Sequence, residues 1–397
     1  MASDRLKVCM IAFTTYPFDS RVRREAEMLA AQDRYDVMVM VPKEGAVPKT
    51  YSLDGVTVKE LNMRQYQGKS KINYMLSYCL FVFLTSFSFN KLFFLRKLDI
   101  IHVHNMPDFL VFAAILPRMF GTKMILDVHD SMPETYAAKF NHGSGSLLFR
   151  IMCLEEALCC RIAHRVICVN HKQRDVLVAR GIDPRKIEIS INVPDHNRFR
   201  AREVKTADMA AAPCRMVYHG TLAKRLGVDL IIRAVARLVQ KCPDLEFHLY
   251  GNGDDKEEFK KLCVELNLQK VVFFHKGVPL DDLVKIIADM DIGIVGNRKN
   301  IATELMLPVK MLEYVALEIP VIAPRLKAIQ YYFKDDMVCF YDSEDIDSMV
   351  QAIESLYFDS EQRRAKAHQA KQFLKQYGWE LHQKDLLRLY ESLKPSV

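Results

Sequence analysis

The chain has 397 residues, half of them apolar and 26% charged, with a formal net charge of +7. That length calls for two or three globular domains with full cores, and so mild a charge bias makes no case for a nucleic-acid partner. The ten cysteines are scattered without a CxxC pair and mostly sit in apolar runs, which reads as buried, reduced thiols of a cytosolic protein.

The opening MASDRLKVCMIAF has no charged-then-apolar leader, so no export signal is expected. Strand candidates follow at KVCMIAF (7–13), YDVMVMV (35–41), GVTVKEL (55–61), DIIHVHN (99–105), KMILDVH (123–129), RVICVN (165–170) and KIEISI (186–191). Between the first two, Val22, Ala26 and Leu29 fall at i, i+4 and i+7, one face of a helix. Near-continuous apolar strands separated by helices predict a parallel sheet covered on both sides.

The run INYMLSYCLFVFLTSFSFN (72–90) carries no charge and approaches a membrane span in length. A full crossing would leave the strands before and after it on opposite sides of a bilayer. A helix lying on the bilayer or packed on the sheet is expected instead. From Leu61 to Leu98 there is no Asp or Glu, while Arg64, Lys69, Lys71, Lys91, Arg96 and Lys97 are present. Basic flanks around apolar and aromatic residues suit an anionic membrane surface, and that partner is assigned to residues 64–97.

The stretch PDHNRFRAREVKTADMAAAP (194–213) is polar, Ala-rich and closed by a proline, which reads as a linker. Strands resume at RMVYHG (215–220), LEFHLYG (245–251), KVVFFHKG (270–277), DIGIVG (291–296), PVIAP (320–324) and MVCFY (337–341), and the tail is helical in pattern. The fold class is therefore α/β, with two doubly wound Rossmann-like domains facing a central cleft. Their predicted bounds are 1–195 and 214–375, with a linker at 196–213 and a C-terminal helix at 376–397 that packs back on the first domain.

In open α/β sheets, ligand sites lie beyond the carboxyl ends of strands. Several segments stand out. GNGDDKEEF places Gly251 and Gly253 between a strand and a helix. It is not GxGxxG, and no glycine follows the first strand, which counts against an NAD enzyme. GTLAKRLG (220–227) is not a Walker A loop but suits an anion through its N–H groups and basic side chains. For either glycine turn alone, plain turn chemistry is the simpler reading. His102 and His104 share one side of a strand, without an evident third metal ligand. His129 and Asp130 end another strand. In ELMLPVKMLEYVALEIPVI (304–322), Pro308 suits a first helical turn, with Val309, Leu312 and Ala316 facing the core. Lys310 and Glu313 share another face, where a solvated pair is the default. A carboxylate also suits ribose hydroxyls, and a lysine a phosphate.

Taken in order, VYHGTLAKRLGVDLIIRAV, LYGNGDDKEEF, FFHKGVPLDDLVKIIADMDIGIV and LPVKMLEYVALEIPVIA resemble the retaining family 4 glycosyltransferases of the GT-B fold. FDSRVRREAEML and ILDVHDSMPE are similar to a bacterial subgroup that builds surface polysaccharides. The resemblance implies a UDP- or GDP-linked sugar donor, a lipid-linked or glycan acceptor, no metal or other cofactor, and a cytoplasmic enzyme on the inner face of the plasma membrane. Carried over by motif, it implies that Glu313 binds ribose, that Lys310, Gly220 and Thr221 lie by the diphosphate, and that Pro308 is part of the donor site. Gly251 and Gly253 belong to the same donor site. Lys276, Gly277 and Val278 would lie by the base, and His129 with Asp130 by the reacting carbon.

Several departures from the family pattern stand beside this. Glu304 is one residue out of register with the family's first glutamate, whose place holds Leu305. Thr221 and Leu226 occupy the positions of the phosphate-binding Arg and Lys, with Lys224 and Arg225 beside them. TTYPFDSRVRR replaces a Gly-Gly loop, so Asp19 and Arg21 are expected on the acceptor or phosphate side. A sugar-nucleotide 2-epimerase shares this fold. A two-lobed sugar-binding protein is the alternative outside enzymes, opposed by cysteine usage and the expected lack of a leader.

Overall fold

The structure is a computed structural model that describes residues 5–66, 68, 70–95, 98–140, 143, 145–195, 198–200 and 213–394, with Lys71 described by its backbone alone. Most of the predicted linker, together with Lys69, Arg96, Lys97 and the Lys71 side chain, lies outside the described residues. The chain divides into two compact units, Met1–Ile191 with His382–Val397, and Asn192–Leu381.

The first unit is built on eight strands: β1 (Leu6–Ile11), β2 (Tyr35–Pro42), β3 (Thr50–Leu53), β4 (Val56–Leu61), β5 (Ile100–His104), β6 (Lys123–Val128), β7 (Arg165–Cys168) and β8 (Ile187–Ile189). Their order in the sheet is β3-β4-β2-β1-β5-β6-β7-β8. All neighbours are parallel except β3 and β4. That pair is a hairpin closed by Asp54 and Gly55, both at positive φ, the Asp-Gly turn whose twist matches paired strands. β3 is absent from the predicted strands, and this dipeptide is its signal in the sequence. The strand is short and half exposed, so it has little apolar pattern to announce it.

Strand order reverses between β1 and β5, which makes the ends of β1, β5 and β6 the site-forming edge of this unit. The uncharged run forms one helix, Lys71–Phe94, long and apolar enough to cross a membrane. It connects β4 to β5 within one sheet, so it lies along the unit instead. Phe81, Thr85, Ser88 and Phe89 are its buried side. Ile72, Leu76, Phe83, Phe87 and Phe94 are exposed.

The second unit holds β9 (Cys214–His219), β10 (Leu245–Tyr250), β11 (Val272–His275), β12 (Ile292–Ile294), β13 (Val321–Pro324) and β14 (Cys339–Tyr341). All are parallel, in the order β11-β10-β9-β12-β13-β14. Its switch point falls between β9 and β12, so the turn after β9 stands at the crevice. The helix Val228–Leu238 that follows buries Val228, Ile231, Ile232, Val235 and Leu238 against the sheet, as the periodicity of that segment requires.

Candidate active site

In the second unit the site grows from the end of β9. Gly220 sits at φ +108°, and a Cβ built on it would lie 3.3 Å from Lys310 Nζ. A side chain there would strain the backbone and displace the lysine. Gly251, also at positive φ, would put a Cβ 2.0 Å from the Gly220 carbonyl oxygen, and Gly253 one 2.1 Å from that of Leu222. These two glycines therefore serve backbone packing. They let the turn after β10 lie against the turn after β9, where Gly220 N donates to Tyr250 O and Leu222 N to Asn252 O, both at 2.9 Å.

Lys310 and Glu313 lie on the helix Val309–Ala316, and they do not form the expected ion pair. Glu313 Oε2 lies 2.5 Å from His219 Nε2, and His219 Nδ1 lies 3.0 Å from the Tyr314 hydroxyl. His219 is not among the predicted site residues, and its position at the end of β9 is the available signal. Lys310 Nζ sits 3.6 Å from the centre of the Tyr218 ring. It has no ion-pair partner among the described residues. Burial, reinforced by the Arg225 charge and partly offset by Glu313, lowers its pKa to about 7. Pro308 caps the helix from outside rather than filling its first turn, its carbonyl accepting from Met311 N at 3.0 Å. No side chain among the described residues caps this N-terminus, so its N–H groups add to the positive field.

The two basic residues of the glycine turn differ. Lys224 is turned away, its ammonium 2.5 Å from Glu258. Arg225 is exposed and makes no ion pair among the described residues. Thr221 is exposed, and its carbonyl accepts from the Tyr218 hydroxyl at 2.8 Å. Lys276 and Gly277 are exposed and Val278 half-buried in the loop after β11. Just before them Tyr250 and His275 stack 4.1 Å apart and nearly parallel. Lys256 closes both strand ends, donating to the carbonyls of Gly251 and His275 at 2.9 Å each. Glu304 is held elsewhere. It accepts from Lys327 N at 3.0 Å at the start of the helix Lys327–Tyr332, which leaves half-buried Leu305 with no carboxylate in its register.

In the first unit His129 follows β6. Its Nε2 lies 3.1 Å from Asp127 Oδ2 and 3.1 Å from His104 Nδ1, and its N–H donates to Asn105 Oδ1 at 2.7 Å. The side chain is 22% exposed. Burial pushes the imidazole pKa down, but the Asp127 charge and hydrogen bond outweigh that and raise it. The Asp130 carbonyl accepts from Asn105 Nδ2 at 2.8 Å.

Arg21 is not placed as the sequence suggested. It is buried, donating from Nε and Nη2 to the two oxygens of Asp127 at 2.9 and 2.8 Å, and from Nη1 to Ser190 O at 2.8 Å. This fork matches a carboxylate on both oxygens and holds Asp127 well below the usual carboxylate range despite burial. A guanidinium so engaged is closed to a phosphate or an acceptor. Asp19 caps the helix Ser20–Ala30 by accepting from Val22 N at 3.1 Å.

A paired-Rossmann chain with a desolvated lysine at a glycine turn and a buried carboxylate–histidine pair belongs, by fold, to the GT-B class. Residues 20–198 match the family described as Glycosyltransferase Family 4, and residues 210–373 that described as Glycosyl transferases group 1. The chain belongs to the family 4 glycosyltransferases. It is 26% identical over 232 residues to a D-inositol 3-phosphate glycosyltransferase of Corynebacterium urealyticum, covering 56% of this chain and 52% of that protein. It is 22% identical over 261 residues to a phosphatidylinositol N-acetylglucosaminyltransferase component of Arabidopsis thaliana, covering 65% and 54%. The chain thus spans about half the length of the curated relatives it matches. In fold it is similar to sucrose-phosphate synthase from Thermosynechococcus elongatus, with a TM-score of 0.78, 16% identity and coverage of 98% and 99% of the two chains. It is also similar to Anabaena HepE solved with UDP-glucose, with a TM-score of 0.72, 14% identity and coverage of 98% and 100%.

Proposed function

We propose that this glycosyltransferase moves a sugar, with retained configuration, from a UDP- or GDP-linked donor to a lipid-linked or polysaccharide-precursor acceptor. The observation that carries the reading is Lys310, buried without an ion-pair partner among the described residues, with the exposed guanidinium of Arg225, beside the Gly220 turn and an uncapped helix N-terminus. A desolvated lysine without a counter-ion is favourable only when an anion arrives, and a diphosphate leaving group supplies one without a metal. Glu313, held by His219, presents its remaining acceptor capacity to ribose hydroxyls. Lys276, Gly277 and Val278 would border the base. His129, with Asp127 fixing its ring, would lie by the donor sugar near the reacting carbon. Structures similar in fold were solved with UDP and with UDP-glucose. The acceptors named for the relatives are inositol phosphate and phosphatidylinositol.

The acceptor would be met at an anionic membrane, on the cytoplasmic side. The exposed face of the helix Lys71–Phe94 continues into Met119 and Phe120, where Phe93 and Phe120 rings lie 5.8 Å apart. Arg64 and Lys91 are exposed on the same stretch. Such a face loses apolar exposure and gains charge attraction on a lipid surface.

A thermal-shift screen of nucleoside diphosphates and their sugars, followed by donor-hydrolysis assays on the hits, tests the donor half. Stabilisation by UDP or GDP, reduced in Lys310→Met, is expected. No stabilisation by any nucleoside diphosphate would overturn the reading, and epimerised sugar in place of free nucleotide would replace it by the epimerase reading.

A further inference from the structure

Behind His129 lies a group the transfer reading does not use. Glu25, His102, His104 and Asp127 are each at most 1% exposed. One ligating atom from each falls within 4.8 Å of the others. Among the described residues, both oxygens of Glu25, His102 Nε2 and His104 Nε2 are buried without a hydrogen-bond partner. Buried polar atoms are seldom left so, and three of the four clustered residues, Glu25, His102 and His104, each hold at least one.

The other edges of the two rings are held. His102 Nδ1 lies 2.6 Å from the Tyr390 hydroxyl, and His104 Nδ1 lies 3.1 Å from His129 Nε2 and 3.3 Å from Asp127 Oδ2. When His129 gives its own Nε2–H to Asp127, the His104 Nδ1–H turns to the same carboxylate and the His102 Nδ1–H to Tyr390, and each Nε2 presents a lone pair. That is the arrangement by which metal-binding histidines are fixed in tautomer and orientation. Spacing prepares it, since His102 and His104 alternate on β5 and share a face, and Glu25 reaches them from the helix Ser20–Ala30. The competing partner is Arg21, whose Nη2 lies 3.5 Å from Glu25 Oε1. That guanidinium is already matched by the fork to Asp127, and it leaves both imidazole nitrogens unserved.

We propose that Glu25, His102 and His104, with Asp127 as the outer partner of His104, form a binding site for a divalent transition metal of the zinc class. Two imidazole nitrogens and a carboxylate suit such an ion, and its nitrogen and oxygen ligands exclude a calcium-type site. The site lies inside the first unit, whereas the cationic turn proposed for the diphosphate belongs to the second.

The test uses the full chain, stripped with chelator, dialysed and titrated with Co²⁺ and then Zn²⁺. Expected are about one equivalent of retained metal, visible Co²⁺ bands without sulfur charge transfer, and a rise in Tm that chelator reverses. Glu25→Gln, which keeps size and hydrogen-bonding capacity, and His102→Gln should each cut retention at least tenfold, whereas Cys79→Ser should leave it unchanged. Less than a tenth of an equivalent bound by the wild-type chain would overturn the proposal. So would equal retention in Glu25→Gln, or a sulfur charge-transfer band pointing to the cysteines. Should His102→Gln fail to fold, Glu25→Gln and the wild-type cobalt spectrum carry the comparison. None of these readouts depends on transferase activity.

Discussion

At the scale of single residues, Lys310 carries the sharpest expectation. Its folded pKa of about 7 is lowered from 10.5 by burial. Between those values the unfolded chain binds a proton that the folded chain lacks. The stability contributed by this group therefore rises with pH across that window. Diphosphate binding has the opposite sign, because an anion raises the ammonium pKa. Binding of UDP or GDP at pH 8 should take up close to one proton, and affinity should fall as pH rises from 7 to 9. Calorimetry in two buffers of different ionisation enthalpy reads this directly, and identical enthalpies would remove Lys310 from the diphosphate site. Glu313→Ala should lower turnover at least tenfold with the fold retained, and His219→Ala should act in the same direction by freeing the carboxylate. Unchanged turnover in Glu313→Ala would refute the ribose assignment. Arg21→Met leaves Asp127 buried without its cation and should cost about 3–5 kcal/mol of stability, measured by urea denaturation. A loss confined to turnover would return Arg21 to the ligand.

At the scale of elements, the two glycine turns were legible as turns and not as a pair. Gly251 reads in sequence as plain turn chemistry, and only the family resemblance puts it in the donor site; in the structure the neighbouring turn lies against it. Gly251→Ala should therefore destabilise the second unit by about 2–4 kcal/mol, through both its positive φ and the contact with Gly220. If nucleotide affinity falls while the urea midpoint stays put, the glycine serves the ligand after all. Glu304 shows the same limit. Its sequence position invites comparison with a ligand-binding carboxylate, but the start of the next helix takes it. Chain spacing identifies which residues are near one another on an element. Which of them a neighbouring element claims depends on packing that the spacing does not contain.

For the molecule as a whole, the consequential surface is the apolar face of the helix Lys71–Phe94. Composition alone allowed a span, a core helix or a surface helix. Its connection of two strands in one sheet removes the first, and exposed Phe83 and Phe87 oppose the second. Phe83→Asp combined with Phe87→Asp should weaken flotation with anionic vesicles by tenfold or more without moving Tm. Binding of the wild-type chain should weaken as salt is raised. Wild-type flotation that is absent at low salt would remove the membrane from the reading.

The sequence by itself determined the alternation of strand and helix, the two doubly wound units and the chain positions where turns gather at strand ends. Apolar periodicity and turn chemistry are local properties, and in a parallel sheet they repeat with every strand. The tertiary structure alone decided the partners. It gave Arg21 to Asp127, Glu313 to His219 and Glu304 to the next helix, and it brought Glu25 beside His102 and His104. These pairings join residues far apart in the chain, and no local pattern encodes them. They follow from the sheet order, which sets β1 between β2 and β5, and β9 between β10 and β12.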